Sequence, residues 1–407
     1  MGLWALLFFP KNTMKNQYRF LVFLLAALQV THVLDFVVLM PLGPQLMRDL
    51  SLTTEAFGFV VSAYTFSAGL CGFFGAFFLD RFDRKKALIF LYLGFIFGTI
   101  LCAIAPTYGM LLVARVFSGA FGGLLTAIIF SVIGDVFPES QRGRATGAVM
   151  ASFSIASVVG IPIGLQLAHL YSWRAPFMFI VLLSVPVLAM LFRVPKMVGH
   201  LDTYVPISPT GLIARTLEDS QQVVALLFSG IITISAFSVI PFLTPFFVGN
   251  MGFPEAWLGY LYLVGGVLTF FASRQIGIWA DRYGKRKVFV IVALLSLIPI
   301  FMVTHMGVAP VWMVFVASSL FMMLVSGRFV PVVALLTSCV PASQRGSFMA
   351  FNSCVQQLSA GIAALMAGYI LQKTETGALL HFGWLGILSI VLTLFAIVVT
   401  TAIRVRA

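Results

Sequence analysis

Residues 277–287 read Gly277-Ile278-Trp279-Ala280-Asp281-Arg282-Tyr283-Gly284-Lys285-Arg286-Lys287 and stand between two long apolar runs. In the first half of the chain, Asp80-Arg81-Phe82-Asp83-Arg84-Lys85-Lys86 occupies the same setting, 201 positions before its counterpart. A second pair follows. Pro138-Glu139-Ser140-Gln141-Arg142-Gly143 agrees at five of six positions with Pro341-Ala342-Ser343-Gln344-Arg345-Gly346, at an offset of 203. Two separate motifs repeated at nearly one offset mark an internal duplication. Parallel repeats of this kind are expected of membrane proteins whose two halves enclose a central site.

What surrounds the motifs sets the solvent. Of 407 residues, 60% are hydrophobic and 9% charged, and the mean hydropathy is +1.05. A water-soluble chain of this length needs far more charge to cover its surface. The net charge of +12 would suggest nucleic acid if it were spread over a soluble domain. Here it lies in short clusters between apolar runs, which excludes that reading and points to a lipid bilayer as partner. Cys71, Cys102, Cys339 and Cys354 lie in or beside apolar runs without CxxC spacing, so neither a disulfide framework nor a metal site is implied. No cofactor motif is present, and no GxxxxGK[ST] loop for ATP.

Apolar runs long enough to cross hydrocarbon, about 20 residues each, recur at 20–42, 56–79, 88–105, 109–136, 145–168 and 175–195. A second six follow at 222–248, 257–280, 288–305, 310–339, 347–371 and 384–403. They are too long and too uniform for β-barrel strands. The fold expected is all-α, with twelve transmembrane helices in two pseudo-symmetric six-helix bundles. Its parts are a terminal segment 1–19, a bundle 20–195, a linker 196–221 and a bundle 222–407. Most basic residues, from Arg81, Arg84, Lys85 and Lys86 to Arg282, Lys285, Arg286 and Lys287, fall on one side, while Arg48, Arg174 and Lys373 fall on the other. The positive-inside rule then puts both termini in the cytoplasm of a bacterial-type plasma or inner membrane. Basic residues follow the apolar Met1–Phe9 rather than precede it, against a cleaved signal peptide, and Met14 offers a second start.

With these motifs in view, the chain resembles the major facilitator superfamily over nearly its whole length. The loop 277–287 is similar to the family's signature loop. The first copy departs from it, with Ala76 and Asp83 where glycine is usual. Arg115-Val116-Phe117-Ser118-Gly119 resembles the family's Arg-x-x-x-Gly motif. Val159-Gly160-Ile161-Pro162-Ile163-Gly164 with Trp173-Arg174-Ala175-Pro176-Phe177 resembles the drug and sugar proton-antiporter branch, which includes arabinose-efflux-like permeases. The resemblance implies a conformational latch at Asp80, Arg84 and Asp135, with Arg142, Asp281, Arg282 and Arg345 at the related loops. The alternative for such cations is that they only enforce topology.

The charges inside the spans carry the chemistry. Asp35 is the one carboxylate well inside an apolar run, and an intramembrane carboxylate is a functional candidate by default. It lies about 10 Å from the outer end of span one at 1.5 Å per residue. Arg115, on the oppositely directed span four, has about the same depth, so the two are expected to pair. A carboxylic acid gives up its proton more readily beside a cation and less readily when stripped of water, so a site opened alternately to each side could load and release protons. His32, three residues before Asp35, shares its helical face; it either shares the proton or only hydrogen-bonds within the bundle. The cavity between the halves is expected to draw on Gln29, Tyr64, Ser235, Asn352 and Gln356, each of which could equally serve helix packing. Arg328, near Pro331, is expected to attract an anionic or polar group, and Arg274 to snorkel.

The expected function is secondary active transport: alternating access by two bundles, with protons driving efflux of a small-molecule drug, sugar or metabolite. One chain supplies both bundles, so it is expected to work as a monomer. A uniporter or proton-coupled importer would use the same fold. A membrane enzyme or a sensor would need clustered catalytic groups, and His32, His169, His200, His305 and His381 are scattered. The topology is directly testable: single cysteines near Lys85, Pro209 and Lys287 should be labelled only from the cytoplasm, and those near Glu55 and Thr374 only from outside. Labelling near Pro209 from outside would overturn both the span count and the division into bundles.

Overall fold

The computed structural model describes residues 16–79, 81–198, 211, 216–341 and 345–403. Among these, twelve helices are long and apolar enough to cross a membrane. Spans one to six are Tyr18–Val38, Thr54–Gly75, Arg84–Ile104, Tyr108–Val136, Gln141–Leu170 and Ala175–Phe192. Spans seven to twelve are Ser220–Met251, Glu255–Tyr283, Lys285–His305, Val311–Ser338, Phe348–Ile370 and Phe382–Ala402. In hydrocarbon no water satisfies backbone N–H and C=O groups, so the chain crosses as helices that satisfy themselves. A two-stranded antiparallel hairpin, Gln372–Lys373 with Leu379–Leu380, joins the last two spans. Most of the linker expected at 196–221, and the segment before Asn16, lie outside the described residues.

Three spans read from the sequence as single helices are interrupted. Span five carries a π-helical turn at Ala156–Gly160, span seven breaks after Phe237, and span ten breaks at Arg328. Pro162, Pro241 and Pro331 follow at the distance that matters. Each lacks the N–H that would bond the carbonyl four residues earlier, at Val158, Phe237 and Gly327 respectively. Span one likewise ends at Val38 and resumes as the short helix Gly43–Asp49 around Pro44. Pro41 and Pro44 match Pro241 and Pro245 at offsets of 200 and 201, a third trace of the duplication.

The repeat is also visible in how the loops are tied down. Arg142 Nε donates to the Phe137 carbonyl at 3.0 Å, and Arg345 Nε donates to the Val340 carbonyl at 3.3 Å. Lys85 Nζ donates to Phe192 O at 2.9 Å, at the end of span six, and Arg286 donates to Ile403 O, at the end of span twelve. The departure at Asp83 has a local reason. Its side chain caps span three by accepting from the Lys85 N–H at 2.9 Å, with an ordinary φ of −53°. Its counterpart Gly284 turns at φ +95°, a conformation side chains rarely adopt.

The halves meet along two seams, span two against span eleven and span five against span eight. Close approach needs small residues there. Gly58 faces the Ala364 carbonyl and Gly368 faces that of Thr54, while Gly259 and Gly266 lie against Pro162 and Ser157. Hydrogen bonds between described residues of the two halves gather on the face opposite Asn16 and Ile403. There Thr54 Oγ1 donates to Leu371 O at 2.7 Å and Lys373 Nζ to Met47 O at 3.3 Å. Arg48 pairs with Glu255 at 2.7 Å, and the helix Gly43–Asp49 packs on Ile240–Met251. Arg48 is 59% exposed, and such pairs contribute about 0–1 kcal/mol. Packing, including the edge-to-face pair Phe57–Phe242 at 5.4 Å, therefore holds this face shut.

Within the first half, spans two and four approach so closely that a side chain at Gly123 would overlap the Ala68 carbonyl. Backbone cannot swing aside as a side chain can. Gly123→Val is expected to cost at least the 1–3 kcal/mol typical of overpacking (about that range) and to lower the thermal midpoint of the purified protein. Val at Gly134, where nothing lies within 4 Å, should leave it unchanged.

Candidate functional site

Span one brings Asp35 to the centre of the first half, and span four brings Arg115 to meet it. Arg115 Nη1 donates to Asp35 Oδ2 at 2.9 Å and to the Asp35 carbonyl at 3.3 Å. The two side chains are 0% and 1% exposed, so the pair is sealed from solvent. An isolated charge there is costly: desolvation costs several kcal/mol per ion, and losing one partner of a buried pair costs about 3–5 kcal/mol. Thr99 on span three adds a hydroxyl 3.3 Å from Asp35 Oδ1 and 3.0 Å from its own Phe95 carbonyl.

Tyr64 on span two completes the site. The Arg115 guanidinium lies 4.2 Å from the centre of its ring. Tyr64 stacks on Phe36 at 5.2 Å, and Phe36 stacks on Phe237 of span seven at 6.1 Å. Consecutive helical residues point about 100° apart, so Asp35 faces into its own half while Phe36 reaches the other. The result is a continuous stack from the buried cation to the boundary between the halves.

His32 does not bond Asp35. Among the described residues both its ring nitrogens lack a partner, as does the Tyr64 hydroxyl. The two rings lie 6.2 Å apart, and a Cβ at Gly122 would stand 2.7 Å from both His32 Nε2 and the Tyr64 oxygen. Gly122 thus leaves room for two rings with unsatisfied polar atoms next to the ion pair.

The expected cavity residues divide. Gln29 is half-buried, two turns before Phe36 on the same side of span one, and its Oε1 has no partner. Asn352 is buried with Oδ1 free, and Gln356 Nε2 donates to Ser229 Oγ at 3.0 Å, tying span eleven to span seven. Ser235 and Arg328 instead lie inside the second half. Arg328 Nη1 donates to Thr393 at 2.8 Å and Nη2 to Ser235 at 3.1 Å, and Ser235 is 3.0 Å from the Ser389 hydroxyl. Arg328 has no carboxylate partner among the described residues, so hydroxyls of spans seven and twelve hold it.

At the loops, Arg84 Nε meets Asp135 Oδ2 at 2.8 Å, while Asp80 lies outside the described residues. Asp281 and Arg282 are exposed, and Arg142 and Arg345 are engaged with the carbonyls named above. Sequence reasoning missed Thr99, Phe36, Phe237, Ser389 and Thr393. A hydroxyl in the apolar run 88–105, at the depth of Asp35, was the available signal for Thr99. The stack had none, because phenylalanine is common in this chain, with 41 copies.

Comparison with known proteins fits this architecture. The Major Facilitator Superfamily profile matches residues 25–275 and 267–406. The uncharacterized MFS-type transporter YceJ of Bacillus subtilis is 23% identical over 354 residues, covering 86% of this chain and 87% of its own. Among solved structures, a D-xylose-proton symporter superposes with a TM-score of 0.77 at 16% identity, covering 94% of this chain and 97% of that one. A bacterial homolog of the human lysosomal transporter Spinster, inward-facing and occupied, gives 0.69 at 17% identity, covering 88% and 83%. Twelve apolar spans in two related halves, a signature loop present twice and a sequence profile that covers nearly the whole chain establish that this protein belongs to the Major Facilitator Superfamily and is a transporter, not an enzyme.

Proposed function

We propose that this transporter exports a small organic compound in exchange for protons, with the face that carries Asn16 and Ile403 in the cytoplasm. The observation that supports the reading is the buried Asp35–Arg115 pair. A charge pair sealed in an apolar bundle is a costly way to hold helices together, and a carboxylate that can accept a proton gives it a use. With Asp35 ionised, Arg115 is held by both the carboxylate and the Tyr64 ring. With Asp35 protonated, the ion pair is lost and the ring remains. That change reaches the boundary of the halves through Tyr64, Phe36 and Phe237. A proton shifts the balance between the two access states only by its different affinity for them, and this stack supplies a physical route for the difference.

His32 and Tyr64, with their free polar atoms beside Gly122, are suited to hand a proton to Asp35. Gln29, Asn352 and Gln356 offer neutral amides to the substrate. Asp80, Arg84 and Asp135 then form the latch that closes the cytoplasmic side. The same pair could instead couple protons to a substrate moving the same way, as the name of the structurally similar D-xylose-proton symporter implies for that protein. Vesicles loaded at one pH and diluted into another separate the two directions.

The test of coupling begins with a thermal-shift screen for a stabilising compound, which is then followed in proteoliposomes with an imposed pH gradient. Asp35→Asn keeps the shape but cannot exchange a proton. It is expected to abolish accumulation against a gradient while leaving binding, and downhill exchange, in place. An Asp35→Asn protein that still concentrates the compound would place coupling elsewhere. For the latch, Asp80→Asn is expected to shift the population toward the cytoplasm-open state by about 1–3 kcal/mol. Unchanged thiol accessibility of cysteines placed beside the cavity residue Asn352 would show that the loop only sets topology.

A further inference from the structure

Span eight has a face that neither half of the protein covers. Gly259 and Gly266 turn toward span five, and Gly265 turns toward Met322 of span ten. Leu268, Phe271, Gln275, Ile278 and Arg282 recur at intervals of three and four on another side, with Arg274 at its edge. Phe271 is 63% exposed and Ile278 50%. Together with Met323 of span ten, Arg274 and Gln275 line a groove of about 570 Å³ on this face.

Arg274 is out of place for a membrane span. It makes no hydrogen bond or ion pair with any described residue, and it is exposed. It stands seven residues, about 10 Å along the helix, from Asp281, too far for that carboxylate to neutralise it. A guanidinium at this depth can reach the headgroup layer by snorkelling, and its fork of donors matches the oxygens of a phosphodiester. The groove's apolar walls, Leu268, Phe271, Ile278 and Met323, run alongside as an acyl chain would. Arg282, two turns nearer the loop, has its guanidinium 5.3 Å from the Tyr283 ring and no carboxylate partner among the described residues. A second cation there favours a headgroup with no ammonium of its own.

We propose that this groove is a binding site for an acidic phospholipid, whose phosphate is held by Arg274 and whose chain lies along span eight. The site stands apart from the Asp35–Arg115 pair and does not depend on proton coupling or on the direction of transport. Its position on a helix that forms one of the two seams gives the lipid a purchase on the moving boundary.

Native mass spectrometry of the full-length protein, purified in detergent and titrated with phosphatidylglycerol or with phosphatidylcholine of the same chains, tests this. The wild type should retain phosphatidylglycerol about fivefold more tightly, the factor expected of one basic residue at an anionic surface. Arg274→Gln should remove that preference without changing phosphatidylcholine binding or the melting temperature in detergent. Should Arg274→Gln fold poorly, Arg274→Lys keeps the charge and should keep the preference. Equal retention of the two lipids by the wild type would overturn the proposal. So would an undiminished preference in Arg274→Gln, or a lipid-free dimer that Arg274→Gln dissolves, which would mean that a second copy covers the groove.

Discussion

One constraint governs the charges buried inside the spans: within hydrocarbon there is no water to satisfy a charge or a backbone group. Asp35 and Arg115 meet that constraint by finding each other, at 2.9 Å and with essentially no exposure. The helices around them are arranged to make the meeting possible. Spans one and four must run in opposite directions with the two residues at one depth. Span three must offer Thr99, and span two must come close enough for Tyr64 to cover the guanidinium. The bare backbone at Gly119, Gly122 and Gly123 is what lets span two and His32 come so near span four.

The same constraint explains the interrupted helices. Proline frees a carbonyl, and a freed carbonyl is tolerable only where other protein groups are near. The breaks fall in span five, which lies along a seam, in span seven, which carries Phe237, and in span ten, which carries Arg328, whereas Pro186 and Pro299 lie inside helices of spans six and nine that continue. Two of the proline segments, after span one and within span seven, are repeats of one another and pack together where the halves are shut. A face closed chiefly by packing between short, proline-bounded segments can part without unfolding a long helix. Alternating access of the kind proposed above would use that property.

The two halves have diverged most where chemistry is expected. Their loops remain close copies, down to Arg142 and Arg345 each bonding the carbonyl five residues earlier. Their interiors do not. The first half holds an arginine against a carboxylate, while the second holds Arg328 against the hydroxyls of Ser235 and Thr393. The hydroxyls take Nη1 and Nη2 of Arg328 and leave its buried Nε without a partner among the described residues. An arginine facing a carboxylate has a partner whose charge can change.

The sequence alone pointed to the twelve spans, the duplication and the pairing of Asp35 with Arg115, while Arg84 and Asp135 were brought together only by the family resemblance. The first three follow from rules with strong local signatures: apolar length, repeated motifs, and the cost of a lone charge at a given depth. It also placed Ser235 and Arg328 with the cavity, because depth along a helix can be counted from sequence whereas the direction a side chain takes around it cannot. Only the tertiary structure decided that Arg328 turns into its own half and that Phe36 bridges to Phe237. It also decided which side of span eight is left to the lipid. These depend on helix rotation and on which spans are neighbours, and both are set by the summed packing of all twelve helices rather than by any one segment.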